Sequence, residues 1–342
     1  MTTHPRVHLA SRTASGWSVE NIALRDVPDL SNALEGTGAR PGDARWVVPA
    51  LSDAHRHLPH PYDRLPAKGV PDARAVELAR LASAGVLSVT DMGVADIAPW
   101  PSRPSGVRTA ICGIEGPSPW PRPAFGVVVN DRHAGEALVD RLVAAGADHI
   151  KIFATASGRL PKADALQGTI DLDALSAIQG RATSHGLPTA IHCHGGPMLA
   201  ASLAGGASSI EHGLYLTKDD LRRMAGSGCR LVLTPLVYIR RQGEPMAIRT
   251  LELLDDAATI GVDVRIGTDG SEWTVADEVV AMVNAGADPG LLLAAVMPDS
   301  GARTASHDLV INGALVLDSD PRSDPRTLTR PMAVVERRRS IA

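Results

Sequence analysis

The two histidines at positions 55 and 57 are the residues whose type and spacing point most directly to chemistry. They end an apolar run over residues 47–57. Alternate residues of a strand point to one face, so His55 and His57 would lie side by side, together with Asp53. Neutral imidazole is a common ligand for zinc and related metals. With 12 histidines in the chain, such a pair also arises by chance, so other strand ends must supply further ligands.

Strand-like and helix-like segments alternate through the middle of the sequence. Eight strand-like runs are predicted between residues 47 and 269, most of them separated by segments with helical periodicity. Alternation of this length predicts a parallel sheet covered by helices, and eight such units close into a (β/α)8 TIM barrel. A doubly wound open sheet is the competing fold, but no GxGxxG motif follows an early strand.

Residues that bind metals recur where these predicted strands end. Beyond the first pair, they are Lys151, His192, His212 and Asp269. In a TIM barrel the C-terminal ends of all strands meet at one rim. A chance distribution would place such residues on helices and loops as readily. The pattern therefore predicts one metal site assembled from several strands.

Lys151 lies inside an apolar strand, where an ammonium group is costly to desolvate unless it is paired or neutral. One interpretation pairs it with a buried carboxylate such as that of Asp269. The other is carbamylation by CO2, which converts the amine into an anionic bridge between two metals. Both interpretations remain open from the sequence.

Three further residues are candidates for contacts with a substrate. His194 would share a strand face with His192, either as a substrate contact or as a structural histidine at the rim. Tyr238 and Arg240 follow the seventh predicted strand, in a segment interpreted as a loop. Arg240 would clamp a carboxylate if it faced the site, and solvent exposure is its alternative.

The composition is that of an ordinary globular protein, with 44% hydrophobic and 21% charged residues. A net charge of -4 gives no electrostatic case for a nucleic acid or an anionic membrane as partner. The cysteines Cys112, Cys193 and Cys229 are scattered and form no disulfide pattern. No signal-peptide core or apolar run of about 20 residues is present. We expect a cytoplasmic protein that acts on a small molecule, with a homo-oligomeric state left open.

The motifs together resemble those of the amidohydrolase superfamily, in the branch that holds imidazolonepropionase and prolidase-like dipeptidases. Residues 49–57 resemble its Pro-Gly-Leu-Ile-Asp-x-His-x-His opening, with Ala50 and Ser52 as departures. The remaining matches are Ala147-Asp148-His149-Ile150-Lys151-Ile152, Ala190-Ile191-His192-Cys193-His194-Gly195, Ser209-Ile210-Glu211-His212-Gly213 and Ile266-Gly267-Thr268-Asp269. The resemblance implies a TIM barrel over residues 49–305. It also implies a small β-sandwich domain formed by residues 1–48 and 306–342, where the N-terminal match is weak.

The same resemblance implies a binuclear metal centre. His55, His57 and Asp269 would hold one divalent ion, and His192 and His212 the second. An N-carboxylated Lys151 would bridge the two. Zinc is the expected metal, with manganese, iron or cobalt as alternatives.

The resemblance further implies an amidohydrolase acting on a carbon-nitrogen bond of a dipeptide, an N-acyl amino acid or a cyclic amide. A hydroxide shared by the metals would attack the carbonyl. Asp269 would take the hydroxide proton and return it to the leaving nitrogen. Tyr238 or His194 would help to stabilise the oxyanion.

Three other functions compete with amide hydrolysis. A mononuclear deaminase-like aminohydrolase usually carries His-x-x-Glu at the fifth strand, but Gly195 occupies the glutamate position. A lactone or phosphoester hydrolase would use the same hydroxide. A non-catalytic barrel scaffold would usually have lost ligands, whereas this sequence retains all six.

Overall fold

The computed structural model describes residues 6–13, 16–23, 46–59, 72–120, 125–270, 272–298 and 313–335. The chain divides into two compact units. The first comprises Met1–Asp53, Val76–Val89 and Glu272–Ala342, and the second comprises Ala54–Ala75 and Thr90–Ser271. All the predicted metal-binding and substrate-binding residues belong to the second unit.

Strands and helices alternate along the described ranges, as the sequence predicts. The strands are β1 (Arg6–Thr13), β2 (Gly16–Ala23), β3 (Trp46–Pro49), β4 (Leu51–Arg56), β5 (Val86–Asp91), β6 (Val107–Thr109), β7 (Gly113–Glu115), β8 (Gly126–Val128), β9 (Ile150–Phe153), β10 (Thr189–Cys193), β11 (Ser209–His212), β12 (Arg230–Leu233), β13 (Val264–Ile266), β14 (Ala314–Leu317) and β15 (Ala333–Val335). The α-helices are α1 (Ala73–Ser83), α2 (Arg132–Ala144), α3 (Lys162–Ala165), α4 (Leu172–Ser184), α5 (Pro197–Ala204), α6 (Lys218–Ser227), α7 (Pro235–Gln242), α8 (Glu244–Ile260), α9 (Val275–Asn284) and α10 (Pro289–Val296). A 3-10 helix covers Pro325–Thr329.

A parallel sheet forms the core of the second unit. Its strand order is β13-β12-β11-β10-β9-β7-β8, and its neighbouring strands are parallel. The central strands β9 and β10 are buried along their whole length. Continuous burial is typical of parallel strands that are covered on both faces. The protein therefore has an α/β fold, which confirms the predicted class.

A second sheet has three strands in the order β4-β5-β6. The backbone N–H of Asp148, just before β9, donates to the carbonyl of Thr109 at the end of β6 (2.8 Å). The N–H of Asp269, beyond β13, donates to the carbonyl of His55 in β4 (2.8 Å). The strand order is thus consistent with the predicted barrel.

The third predicted strand, over residues 107–112, is interrupted in the structure. Only its first part, β6, is a strand, and Ile111 in the remainder has a φ of 68°. This left-handed conformation is unusual for a β-branched residue and breaks the strand. Two further short strands, β7 and β8, flank the proline-rich segment at residues 116–123 that the sequence predicts as a loop.

The segment after β12 is helical rather than the predicted loop. Helix α7 begins with Pro235 at its first position, where the fixed φ of proline favours a helix start. Side-chain caps define other helix starts: Asp131 accepts from the N–H of Ala134, and Thr217 with Asp220 forms a capping box.

Strands from both ends of the chain meet in one five-stranded sheet of the first unit. Its order is β15-β14-β3-β1-β2. The predicted sharing of one β-structure by the two chain ends fits this sheet. The sandwich form and the boundaries 1–48 and 306–342 remain predictions. The predicted Asn-Gly turn at residues 312–313 begins outside the described residues.

Within the described ranges, none of the helices combines the length and the apolar character that a membrane span requires.

Candidate metal centre

The strand ends of the second unit bring the predicted ligands into one buried cluster. His55 lies in β4 and His57 just after it, Lys151 lies in β9, and His192 lies in β10. His212 is the last residue of β11, and Asp269 follows β13 by three residues.

His55, His57 and Asp269 form the first part of this cluster. Asp269 Oδ1 lies 3.3 Å from His55 Nε2 and 3.6 Å from His57 Nε2. One ligand atom from each of the three residues lies within 4.8 Å of the others. His55 is buried, whereas the Asp269 side chain is 19% exposed. This set can hold one metal ion and leave an open side.

His192 and His212 form the second part. Their ring centroids are 4.8 Å apart, and the His212 ring is also 4.8 Å from the His55 ring. Both histidines are buried. The structure therefore brings all four predicted histidine ligands together in adjacent pairs.

Each of the four histidines is anchored through one ring nitrogen. The Nδ1 of His55 contacts Glu211 Oε2 (2.6 Å), and the Nδ1 of His57 contacts the carbonyl of Gly93 (2.7 Å). The Nδ1 of His212 contacts Thr234 Oγ1 (2.8 Å), and the Nε2 of His192 contacts the carbonyl of Ala156 (3.2 Å). Metal-binding histidines typically hold their second nitrogen in this way.

The ring nitrogen of His192 that is not anchored, Nδ1, indicates whether the residues of the site fit a metal ion. His192 Nδ1 is buried and has no hydrogen-bond partner among the described residues. A buried polar atom without a partner is unfavourable, and a metal ion would satisfy it.

Burial keeps most of these imidazoles neutral. It lowers the pKa of His57 to about 4 and the pKa values of His192 and His212 well below their ordinary value. The neutral form is the one that binds metals. Burial and Lys151 lower the pKa of His55, but its contacts with the carboxylates of Asp269 and Glu211 raise it above its ordinary value overall.

Burial would raise the pKa of Asp269, but the contact with His55 and the charges of His55 and His57 hold it well below its ordinary value. Burial also raises the pKa of Glu211, which the hydrogen bond and charge of His55 lower below its ordinary value overall. Both carboxylates are therefore ionised at neutral pH. The cluster holds the negative charge that a cation site needs.

Lys151 is completely buried, and its Nζ has no hydrogen-bond partner among the described residues. Its Nζ lies 5.1 Å from the centroid of the Phe153 ring. Burial lowers the pKa of Lys151 to about 8, against the charges of Glu211 and Asp269, which raise it. A substantial fraction of the amine is therefore neutral near pH 8, in the form that reacts with CO2.

The backbone is strained at two of the candidate ligands. His212 has a φ of 70° and Asp269 a φ of 48°, both in the left-handed region that side chains rarely adopt. Such conformations concentrate at functional sites. Next to Asp269, a Cβ on Gly267 would lie 2.4 Å from the Cβ of His55. Only glycine therefore allows β13 to approach His55 this closely.

The three predicted substrate contacts differ in their placement. The His194 ring lies 4.7 Å from the His192 ring, and neither of its nitrogens has a hydrogen-bond partner among the described residues. The Tyr238 ring lies 5.7 Å from that of His212 and 6.1 Å from that of His194. Arg240 is exposed two residues farther along α7, and helix residues two apart do not share a face. His194 and Tyr238 therefore join the cluster, and Arg240 does not share their side.

Several residues of the site escaped the sequence analysis, Glu211 above all. An extended strand places neighbouring residues on opposite faces, so Glu211 and His212 are not expected to serve one site. The left-handed φ of His212 breaks this alternation, and both residues reach His55. The available signal was a carboxylate inside a buried strand, the same kind of signal as Lys151. Phe125, whose ring stacks on His57 at 4.1 Å, carried no such signal.

Comparison with known proteins identifies the fold. No family model matches the sequence, and no curated protein is similar enough to match it. Solved structures with the same fold include ochratoxinase from A. niger, at 17% identity over 96% of this chain and 92% of that chain, with a TM-score of 0.68. A Xaa-Pro dipeptidase with bound methionine in the active site is 19% identical over 85% and 87% of the two chains, with a TM-score of 0.62. Molinate hydrolase is 14% identical over 98% and 94%, with a TM-score of 0.61.

These structures belong to the amidohydrolase superfamily. The chain shares their fold, so the resemblance seen in its sequence motifs is confirmed at the level of the fold.

Proposed function

We propose that this protein is a metal-dependent hydrolase that cleaves an amide carbon-nitrogen bond in a small substrate. A dipeptide, an N-acyl amino acid or a cyclic amide would be suitable. The observation that carries this proposal is the set of four histidines, three of them buried and His57 partly buried, each anchored through one nitrogen, near Asp269 and the buried Lys151. The names of the structural neighbours, which include a dipeptidase and two further hydrolytic enzymes, support the reaction type.

Two divalent ions, with zinc as the expected metal, are proposed for the cluster. His55, His57 and Asp269 would hold the first, His192 and His212 the second, and carboxylated Lys151 would bridge them. When bound, such ions activate water at neutral pH and polarise a carbonyl. The partnerless Nδ1 of His192 and Nζ of Lys151 support this assignment.

Asp269 is the proposed proton carrier. It is ionised and partly exposed, at the open side of the cluster. Its carboxylate would accept the proton of the attacking water and deliver it to the leaving nitrogen. Because an amine is a poor leaving group until it is protonated, this second transfer completes the cleavage.

His194 and Tyr238 are the proposed donors to the substrate oxygen. Burial raises the pKa of Tyr238 well above its ordinary value, so the hydroxyl keeps its proton. Burial lowers the pKa of His194 to about 3, which leaves a neutral ring with one N–H. Neutral donors in a buried site stabilise developing negative charge in a transition state.

The proposal includes a closed TIM barrel over residues 49–305. A small-molecule substrate and a cytoplasmic location are proposed from the sequence, while the oligomeric state is left open.

A substrate panel tests the proposed function. Protein expressed with zinc and bicarbonate would be assayed with dipeptides, N-acetyl amino acids, a hydantoin, a γ-lactone, a phosphotriester and cytosine. We expect hydrolysis of at least one amide, loss of activity after chelation and its return with zinc. Turnover of the lactone or phosphotriester alone, or ammonia release from cytosine alone, would favour the competing hydrolase or deaminase. Absence of both metal and turnover would favour the scaffold.

A further inference from the structure

Glu211 is a buried carboxylate that contacts His55 at Nδ1, the ring nitrogen that does not face Asp269. Its Oε2 lies 2.6 Å from His55 Nδ1, and its Oε1 accepts a hydrogen bond from Ser209 Oγ at 2.5 Å. The side chain is completely buried. Two fixed contacts therefore hold both carboxylate oxygens in place.

The other three histidines have uncharged partners. His57 and His192 contact backbone carbonyls, and His212 contacts the hydroxyl of Thr234. Only His55, among the four, has an anionic partner at its anchoring nitrogen. The two halves of the cluster are therefore unequal in their surroundings as well as in their ligands.

We infer that Glu211 is a positioning residue that makes the His55–His57–Asp269 half bind its metal more tightly than the His192–His212 half. The inference rests on the proposed function, because it concerns the same two metal positions. A carboxylate that accepts the N–H of a ligating imidazole fixes the ring and makes its other nitrogen a stronger ligand.

Charge acts in the same direction. The tighter half has the carboxylate of Asp269 as a ligand and that of Glu211 directly behind His55. The weaker half has two neutral imidazoles until Lys151 is carboxylated. A divalent cation is therefore attracted more strongly to the first half, and the two ions bind in sequence.

The test is a titration of metal-free protein with zinc, in competition with a chromophoric chelator. For the unaltered protein we expect two binding events of unequal affinity. Glu211→Gln keeps an oxygen acceptor for His55 but removes the charge. It should weaken the tight event by about 10- to 100-fold and change the weak event by less than about threefold.

Thr234→Val is the matched variant in the other half. It removes the partner of His212, so the weak event should lose affinity and the tight event should not. Thermal unfolding of each metal-free variant separates an altered site from an altered fold. If Glu211→Gln does not fold, Ser209→Ala carries the test, with a smaller weakening confined to the tight event.

Two negative results would have different meanings. No zinc binding by the unaltered protein would contradict the proposed function itself. Two normal binding events that Glu211→Gln leaves unchanged, or weakens equally, would overturn the role of Glu211 and leave the proposed function intact.

Discussion

In the parallel sheet, polar side chains at the N-terminal ends of the strands differ from those at the C-terminal ends in whether they have partners within the protein. At the N-terminal ends, charged residues pair with one another: Asp263, before β13, contacts Arg230 (2.9 Å) and Arg265 (3.3 Å). Asp148, before β9, contacts Arg103 (2.7 Å). These groups are satisfied by the protein itself.

At the C-terminal ends, buried polar atoms remain without hydrogen-bond partners among the described residues. They are His192 Nδ1 and both nitrogens of His194, and Lys151 Nζ within β9 is unpartnered as well. Because orphaned buried groups are unfavourable, this end is complete only when something else binds there. The comparison therefore separates groups that stabilise the fold from groups that serve a ligand.

The largest expected effect is a loss of activity when Asp269, the proposed proton carrier, is replaced. Asp269→Asn should lower kcat/KM for the amide substrate by about 10²- to 10⁴-fold, because the amide cannot accept the proton. Metal content and steady-state kinetics would be measured on the same preparation. A variant that binds metal and keeps full activity would contradict the assigned role.

The next largest expected effect is a loss of stability where Gly267, just after β13, lies close to His55. Gly267→Ala would place a methyl group 2.4 Å from the Cβ of His55, and such overpacking should reduce the free energy of unfolding by about 1–3 kcal/mol. Gly180→Ala in α4 is the control, because its added Cβ meets nothing within 4 Å. It should stabilise the protein by about 0.5–1 kcal/mol, as urea unfolding would reveal. Equal stability of the two variants would refute the packing argument.

Two groups at the N-terminal strand ends depart from the rule of paired groups, because they are buried and lack a hydrogen-bond partner among the described residues: Thr189 Oγ1 at the start of β10, and both ring nitrogens of His149 just before β9. Burial, followed by the charges of Arg108 and Lys151, lowers the pKa of His149 from 6.5 to about 3. Below pH 6.5 the unfolded chain takes up a proton that the folded protein does not. His149 therefore destabilises the protein increasingly as the pH falls from 6.5 towards 3.

His149→Leu should remove this pH dependence. At pH 5, which is 1.5 units below 6.5, the contribution amounts to about 2 kcal/mol. Urea unfolding of metal-free protein at pH 7.5 and pH 5 would measure it. His133, exposed on α2, provides the control variant, His133→Leu, with an expected change below about 0.5 kcal/mol at both pH values. An unchanged pH dependence in His149→Leu would contradict the assigned cause.

The smallest effect is expected at the paired charges. The side chains of Asp263 and Arg230 are 34% and 42% exposed, and exposed ion pairs contribute about 0–1 kcal/mol. Arg230→Gln, which removes only the exposed partner of Asp263, should reduce stability by less than about 1 kcal/mol, and leave metal content and kcat/KM unchanged. A loss of bound metal in this variant would contradict the claim that the paired charges at the N-terminal ends serve only the fold.

The α/β fold and the meeting of candidate ligands were predictable, because both depend on regular spacing along the chain. Strands and helices alternate as the sequence predicts, and His55, His57 and Asp269 lie close together. Period-two alternation and strand ends carry this information. Where a residue departs from regular geometry, as Ile111 does, the sequence gives no warning.

The anchoring partners depend on approaches between distant segments. Gly93 accepts from His57 because β5 ends beside β4, and Thr234 meets His212 across two neighbouring strands. Glu211 reaches His55 from 156 residues away. Neither periodicity nor local propensity encodes such contacts, so the orientation of the ligands emerges only in three dimensions.

The most direct measurement is the metal content per chain, by inductively coupled plasma mass spectrometry, of protein expressed with zinc and bicarbonate. We predict close to two equivalents, falling to one or fewer in Lys151→Ala, with Arg230→Gln as the control that keeps both. One equivalent that Lys151→Ala does not change would contradict the bridged pair, and no metal at all would contradict the metal centre itself.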